Sequence, residues 1–216
     1  IEGEQLNLES LRSSVAHRLQ LADAPGTDRS AEGLVQVMQD ALANHGAALD
    51  LDRLCRWQSA LFPGGTSGIA RIAVGRVRDH ADAMQIVSGP LGREVAHYEA
   101  PPSVQVTAQM THFLAWFEGT RPAAGATAVN GIARAALVHL WFESIHPFED
   151  GNGRLGRALA DMALAQDMHA QDPQASPALV RVYGMARQML KTRAAYYDAL
   201  NATQRLRGVA PEAPTI

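Results

Sequence analysis

His146-Pro147-Phe148-Glu149-Asp150-Gly151-Asn152-Gly153-Arg154-Leu155-Gly156-Arg157 lies between two strongly apolar helical segments. Proline disfavours helix at the residue before it, so the upstream helix is expected to end at or near His146. Gly151 and Gly153 let the backbone turn with its N–H groups exposed where the next helix begins. Donors and helix dipole then converge on one anion site suited to a phosphate. Arg154 and Arg157, three residues apart, are neighbours on one helical face, away from the apolar stripe. Their planar guanidinium forks suit phosphate oxygens. Asp150 offers a hard oxygen just before the turn, as in sites where Mg²⁺ is held by one carboxylate, phosphate oxygens and waters. His146, with an ordinary pKa of about 6.5, can accept a proton near neutral pH. Taken singly, each residue has a plainer reading: a core or capping histidine, a turn, a solvated pair of arginines. Their order within a dozen residues makes a base, a metal ligand, an anion nest and two phosphate clamps. Phe148 is expected to anchor the loop in the core.

Outward from this loop the chain reads as helical. Downstream, Leu155, Ala158, Leu159, Met162 and Ala163 follow helical spacing. Upstream, Asn130 is a capping residue for a helix whose Ile132, Ala133, Ala136, Leu137, Leu140 and Trp141 form a wide apolar stripe. His139 in that helix reads as a core histidine. Val106, Met110, Phe113, Leu114 and Phe117 share one helical face ending near Gly119. Earlier, Leu8, Leu11, Val15 and Leu19 predict one amphipathic helix, and Leu34, Val37, Met38, Ala41 and Leu42 a second after a Ser30 cap. A third is expected from Leu49 and Asp50 through Trp57 to the breaker Phe62-Pro63-Gly64-Gly65. Ile69 to Val77 predicts a short strand. Met84 to Val87 and Glu94 to Tyr98, flanking a turn at 88–93, predict a β-hairpin stopped by Pro101-Pro102. Two further helices fit Pro177 to Leu190 and Thr192 to Arg207. The fold class is therefore mainly α, a helical domain carrying one hairpin, taken as a single domain over residues 1–216.

Hydrophobic residues make up 47% of the 216 and charged residues 19%, a mix that can bury a sizeable core. A net charge of −3 argues against a general nucleic-acid binder, which carries a basic surplus on one face. No apolar run reaches the roughly 18 residues of a membrane span, so the protein is expected to be soluble and cytoplasmic, without a membrane partner. The single cysteine, Cys55, cannot form an internal disulfide and is expected to be buried. Starting at Ile1 rather than Met, the chain reads as a piece of a longer protein.

The loop from His146 to Arg157 resembles the signature of the Fic family, His-Pro-Phe-x-(Asp/Glu)-Gly-Asn-Gly-Arg-x-x-Arg, at every defined position. Gly75 with Arg78, the hairpin from Met84 to Tyr98 and Pro101-Pro102 resemble the family's flap and its exit. Tyr196-Tyr197 resembles the segment that closes the adenine pocket, with Gln204 seven residues beyond Tyr197. The resemblance implies a Fic fold, a helical bundle with one flap hairpin beside the active-site loop. It also implies a protein adenylyltransferase with ATP as substrate and Mg²⁺ as cofactor. In that reading His146 is the base for a target hydroxyl and Asp150 holds Mg²⁺. Gly151, Asn152, Gly153, Arg154 and Arg157 bind the phosphates, and Tyr197 and Gln204 the adenine. The flap residues Met84, Gln85, Ile86, Val87, His97 and Tyr98 would dock a target protein by strand addition.

Ile1-Glu2-Gly3 resembles the end of the family's inhibitory-helix pattern, (Ser/Thr)-x-x-x-Glu-(Gly/Asn), within an N-terminal helix at 1–20. Glu2 would then pair with Arg157 and deny it to the γ-phosphate; a frayed terminal charge is the plainer reading. The resemblance allows a homodimer. Open alternatives on the same site are removal of AMP from a modified target, a donor other than ATP, and a non-catalytic nucleotide-sensing module.

Overall fold

The structure, a computed structural model, describes residues 29–88, 95–122, 130–180 and 185–204. The expected helix over Leu8 to Leu19, Glu2, and the hairpin turn at 89–94 lie outside the described residues. Seven α-helices occur among the described residues: α1 (Arg29–Ala43), α2 (Leu51–Leu61), α3 (Ser103–Gly119), α4 (Gly131–Ile145), α5 (Asn152–Gln171), α6 (Met185–Lys191) and α7 (Arg193–Gln204). A 3₁₀ turn occupies Pro177–Leu179. Two antiparallel pairs accompany them: β1 (Thr66–Ser67) with β2 (Ala70–Arg71), and β3 (Gln85–Ser88) with β4 (Val95–Glu99).

Local chemistry accounts for most boundaries. Asp50 caps α2, its carboxylate accepting from Arg53 N at 2.6 Å, and Phe62 ends the helix before the Pro-Gly-Gly breaker. Asn130 caps α4 as expected, its Oδ1 accepting from Ile132 N and Ala133 N at 3.0 and 3.2 Å. Asp40 on α1 accepts from Arg53 Nε at 2.8 Å and from Trp57 Nε1 at 2.7 Å, locking α1 to α2. At their crossing a methyl on Gly33 would lie 1.7 Å from Ala60 O, so the helices approach closely only over a glycine.

The core fills the space between α1, α2, α3, α4 and α5. Phe113 of α3 meets Trp141 edge-on, with ring centroids 5.6 Å apart, and Phe142 at 5.8 Å. Leu155, Ala158, Leu159, Met162 and Ala163, the stripe read from the sequence, are all buried. α5 is enclosed on most of its circumference, which makes it the central helix of the bundle.

Several expectations need correction. The strand expected over Ile69 to Val77 is reduced to the two residues of β2 (Ala70–Arg71); the chain reverses at Gly68 (φ +54°), so β1 and β2 form a second, very small hairpin. In α4 the expected stripe matches the buried face only in part: Trp141 is buried and Leu137 and Leu140 are half-buried, but Ile132, Ala133 and Ala136 are exposed, and Ala135, Val138, His139, Phe142 and Ile145 complete the buried side. A helix apolar nearly all round does not declare its inner side. α1 begins at Arg29, before Ser30. Cys55 is half-buried at the edge of the core. Of the helix expected from Pro177 to Leu190, the described residues include a 3₁₀ turn at Pro177–Leu179 and α6, residues 181–184 lying outside them, and α7 starts at Arg193. Residues 205–207 of the expected last helix lie outside the described residues.

Candidate active site

α4 runs directly into the candidate base. His146 is its C-cap, with φ 50° and ψ 60°, the one non-glycine residue of positive φ among the described residues. Its Nδ1 lies 3.3 Å from Glu143 O. A carbonyl can only accept, so that contact places the proton on Nδ1 and leaves Nε2 as the acceptor. Burial pushes the imidazole down to about 4. Two weaker influences, the Glu143 carbonyl and the Asp150 charge, oppose that shift, and Arg78 adds to it. The ring is neutral at neutral pH, the form a general base requires.

The turn after His146 is fastened from inside. Phe148 is fully buried, with its ring centroid 6.4 Å from that of Phe142. Asn152 accepts from Phe148 N at 3.0 Å and donates to Phe148 O at 2.8 Å. Both polar ends of its amide are thus engaged within the loop. Within the loop the Asn152 side chain acts as a staple that holds the turn closed.

Gly151 takes the left-handed conformation (φ +89°) and caps α5, so the first N–H groups of that helix open onto the turn. Gly153 follows within the buried first turn. Arg154 is buried, its guanidinium 4.7 Å over the Phe62 ring and its Nη2 3.8 Å from Asp150 Oδ1. Arg157, one turn on, is half-buried. Asp150 accepts from Gly151 N through Oδ1 and from Ser67 Oγ through Oδ2. Its side chain keeps about a third of its surface exposed, at 31%. Glu149 accepts from Ala73 N at 2.9 Å. The loop therefore brings His146, Asp150, Gly151, Arg154 and the start of α5 together.

The flap pairs Gln85 with Glu99 and Ile86 with Tyr98, then shifts register between Ile86 and Val87. Met84 precedes the strand, and its carbonyl accepts from Ala100 N at 2.9 Å. The side chains of Val87 and His97 lie outside the described residues. Tyr98 OH donates to Ser144 O at 2.8 Å, so its hydroxyl faces the end of α4 rather than a docked partner. On α7, Gln204 Nε2 reaches Ser144 Oγ at 3.4 Å, while Tyr197 is exposed beside Arg193. Tyr196 is the inward residue of the pair, its hydroxyl 3.0 Å from His139 Nε2. His139 is buried, as expected of a core histidine. The sequence reading missed Ser67, Glu149 and the Tyr196 contact. No motif signals these, because each is a pairing across many residues.

A family model described as the Fic/DOC family matches residues 48–164, which run from before α2 through the loop and into α5. The chain belongs to the Fic/DOC family. Among curated relatives, it is 32% identical over 123 residues to a uridine 5'-monophosphate transferase of Xanthomonas campestris. That match covers 56% of this chain and 22% of the relative. It is 29% identical over 72 residues to a probable protein adenylyltransferase of Aquifex aeolicus, covering 33% of this chain and 21% of that protein. The chain thus spans about a fifth of the length of either relative. A Fic family protein from Desulfovibrio desulfuricans superposes with a TM-score of 0.59 at 20% identity, over 92% of this chain and 52% of that one. A Fic domain containing signaling protein from Bacteroides thetaiotaomicron gives 0.53 at 20% identity, over 77% and 59%. These two establish the Fic fold, mainly helical with small hairpins. Among the described residues, no helix is long and apolar enough to cross a membrane.

Proposed function

We propose that this chain is a nucleotidyltransferase domain that moves AMP from ATP to a Tyr, Thr or Ser hydroxyl of a target protein. The observation that supports it best is His146, a neutral imidazole whose Nδ1 is turned to Glu143 O, leaving Nε2 as acceptor beside the Gly151 turn. In the reaction the target hydroxyl oxygen attacks the α-phosphorus. The new O–P bond forms, the bond to the β-phosphate oxygen breaks, pyrophosphate leaves, and the hydroxyl proton passes to Nε2 of His146. The N–H groups at the start of α5 and the forks of Arg154 and Arg157 hold the phosphates and the charge that builds on them. Tyr197 and Gln204 on α7 border the base, and the flap strands offer main-chain edges to an extended target segment.

No group of three metal-ligating side chains occurs among the described residues. The part-exposed carboxylate of Asp150 at the phosphate turn fits Mg²⁺ held by one carboxylate with phosphate oxygens and waters. Mg²⁺ bound there supplies charge neutralisation of the triphosphate. Glu2, by the pattern it resembles, restrains the enzyme by pairing with Arg157.

A second reading changes the donor. The relative matched over more of this chain is named a uridine 5'-monophosphate transferase, which favours testing UTP beside ATP. Cell lysate and purified protein are incubated with Mg²⁺ and ATP labelled at the α or γ position, or α-labelled UTP. Label that depends on the added protein is expected from α-labelled ATP and not from γ-labelled ATP. His146→Ala should lower it at least about a hundredfold, the scale of a lost general base, with ATP binding retained. Glu2→Gly should raise self-modification. Label from UTP alone moves the assignment to uridylyl transfer, and label from neither, in wild type and Glu2→Gly alike, removes the proposal.

A further inference from the structure

An α-helix leaves its last carbonyls without intrahelical partners, and at the end of α4 each of them is taken up. Phe142 O accepts from His146 N at 3.0 Å and Glu143 O faces His146 Nδ1 at 3.3 Å. Ser144 O accepts from Tyr98 OH at 2.8 Å. The next three go to one residue: Ile145 O accepts from Arg78 Nη2 at 3.3 Å, His146 O from Arg78 Nε at 2.8 Å, and Pro147 O from Arg78 N at 2.9 Å. The same guanidinium donates through Nη1 to Ser103 Oγ at 3.0 Å and through Nη2 to Pro101 O. Arg78 is 1% exposed, and its charge lies at the negative end of α4.

Two facts turn this cluster into a device. His146 holds a left-handed conformation that residues with side chains rarely adopt, and such a conformation persists where surrounding bonds over-determine it. Moreover, Arg78 precedes β3, Tyr98 lies in β4, and Pro101 and Ser103 follow the flap, so the roots of the flap hold the carbonyls around His146.

We propose that Arg78 is a positioning residue, its forked guanidinium fixing the backbone at His146 and tying it to both roots of the flap. The claim that this matters for transfer rests on the function proposed above; the claim that it fixes His146 does not. A planar fork is required because all three guanidinium nitrogens, in fixed directions, meet three carbonyls and a hydroxyl on separate segments, which one ammonium cannot do. A target strand added to the flap is thereby registered against the base.

Arg78→Lys, which keeps the charge without the fork, and Ser103→Ala, which removes one partner, are compared with wild type by hydrogen–deuterium exchange and by transfer. In Arg78→Lys, amides at 98–103 and 145–148 are expected to exchange about tenfold faster or more while α5 stays protected. Ser103→Ala should show the same pattern more weakly, and it decides the matter if the lysine variant does not fold. Where label transfer is measurable, kcat should fall about ten- to a hundredfold in Arg78→Lys, with ATP stoichiometry and KM for ATP kept, the signature of a displaced base. A merely structural arginine would instead raise exchange throughout and lower the bound ATP per chain, and that result overturns the proposal. So does unchanged exchange at both segments. Faster exchange confined to them, when neither wild type nor Glu2→Gly transfers a nucleotide, would uphold the positioning role and refute the proposed reaction.

Discussion

At Gly151, two independent constraints act on one residue. Its φ of +89° is a conformation that costs a side-chain residue about 1–2 kcal/mol. A methyl there would also lie 2.9 Å from Phe62 Cε2 and 3.2 Å from Leu61 Cδ1. The Phe62 ring is the surface on which the Arg154 guanidinium rests, so moving it moves the phosphate clamp. Gly151→Ala is therefore predicted to lower stability by about 2–4 kcal/mol, from backbone strain and overpacking together, as read by urea denaturation. It should also weaken ATP binding, measured by calorimetry, because the ring cannot yield without shifting Arg154. A loss of stability with unchanged ATP affinity would separate Phe62 from the anion site. His146 carries the same backbone conformation without being glycine, and its strain is carried by the bonds to Phe142, Glu143 and Arg78.

Among the elements, α7 is a helix of 12 residues with none of them buried. Polar ties to α4 run from Tyr196 to His139 and from Gln204 to Ser144. Tyr196→Phe removes the stronger of these at a cost of about 1 kcal/mol, the usual net value of a hydrogen bond. With little apolar burial to hold it, α7 should open separately. Amide exchange across 193–204 is predicted to quicken while that of α5 and the urea midpoint stay nearly unchanged; equal quickening in both helices would mean α7 belongs to the core cooperative unit. What the sequence disclosed follows the same division between local and distant causes. Asn130, Asp50, the Phe62-Pro63-Gly64-Gly65 breaker and the stripe of α5 are local signals, and each lies where its chemistry predicts. The loop from His146 to Arg157 was legible as a site because its residues are contiguous. The buried face of α4 was not, since its inward side is chosen by Arg134 reaching Phe117 O and Thr120 Oγ1 on another element. Ser67, Glu149 and the Tyr196 contact were hidden for the same reason, as was the engagement of Asn152 with Phe148: an amide beside glycines signals equally a ligand contact or a loop staple.

For the whole molecule, two buried imidazoles set how the fold responds to acid. Burial pushes His139 and His146 each down to about 4 from the ordinary 6.5. In the unfolded chain both take up protons below pH 6.5, whereas the folded rings stay neutral until about pH 4. The unfolded state therefore binds more protons across that window, and stability falls as pH falls through it. Once both states are protonated, below about pH 4, this contribution stops changing. Each fully shifted ring corresponds to roughly 3 kcal/mol, with a slope near 1.4 kcal/mol per pH unit per proton. Asp40 acts later: burial pushes its carboxyl up, but hydrogen bonds from Asn44, Arg53 and Trp57 outweigh that and hold it below its usual value. Its stabilising effect is present above pH 3.8 and is lost only as pH falls below it. Urea midpoints measured at pH 7, 6 and 5 should thus show a decline made mainly by the histidines. His139→Gln is expected to remove about one proton from that slope while leaving His146 to supply the other. A slope identical to wild type would mean that the His139 ring takes up its proton at the same pH in the folded protein as in the unfolded chain, and below pH 6.5 its hydrogen bond with Tyr196 would then be one donated by an imidazolium.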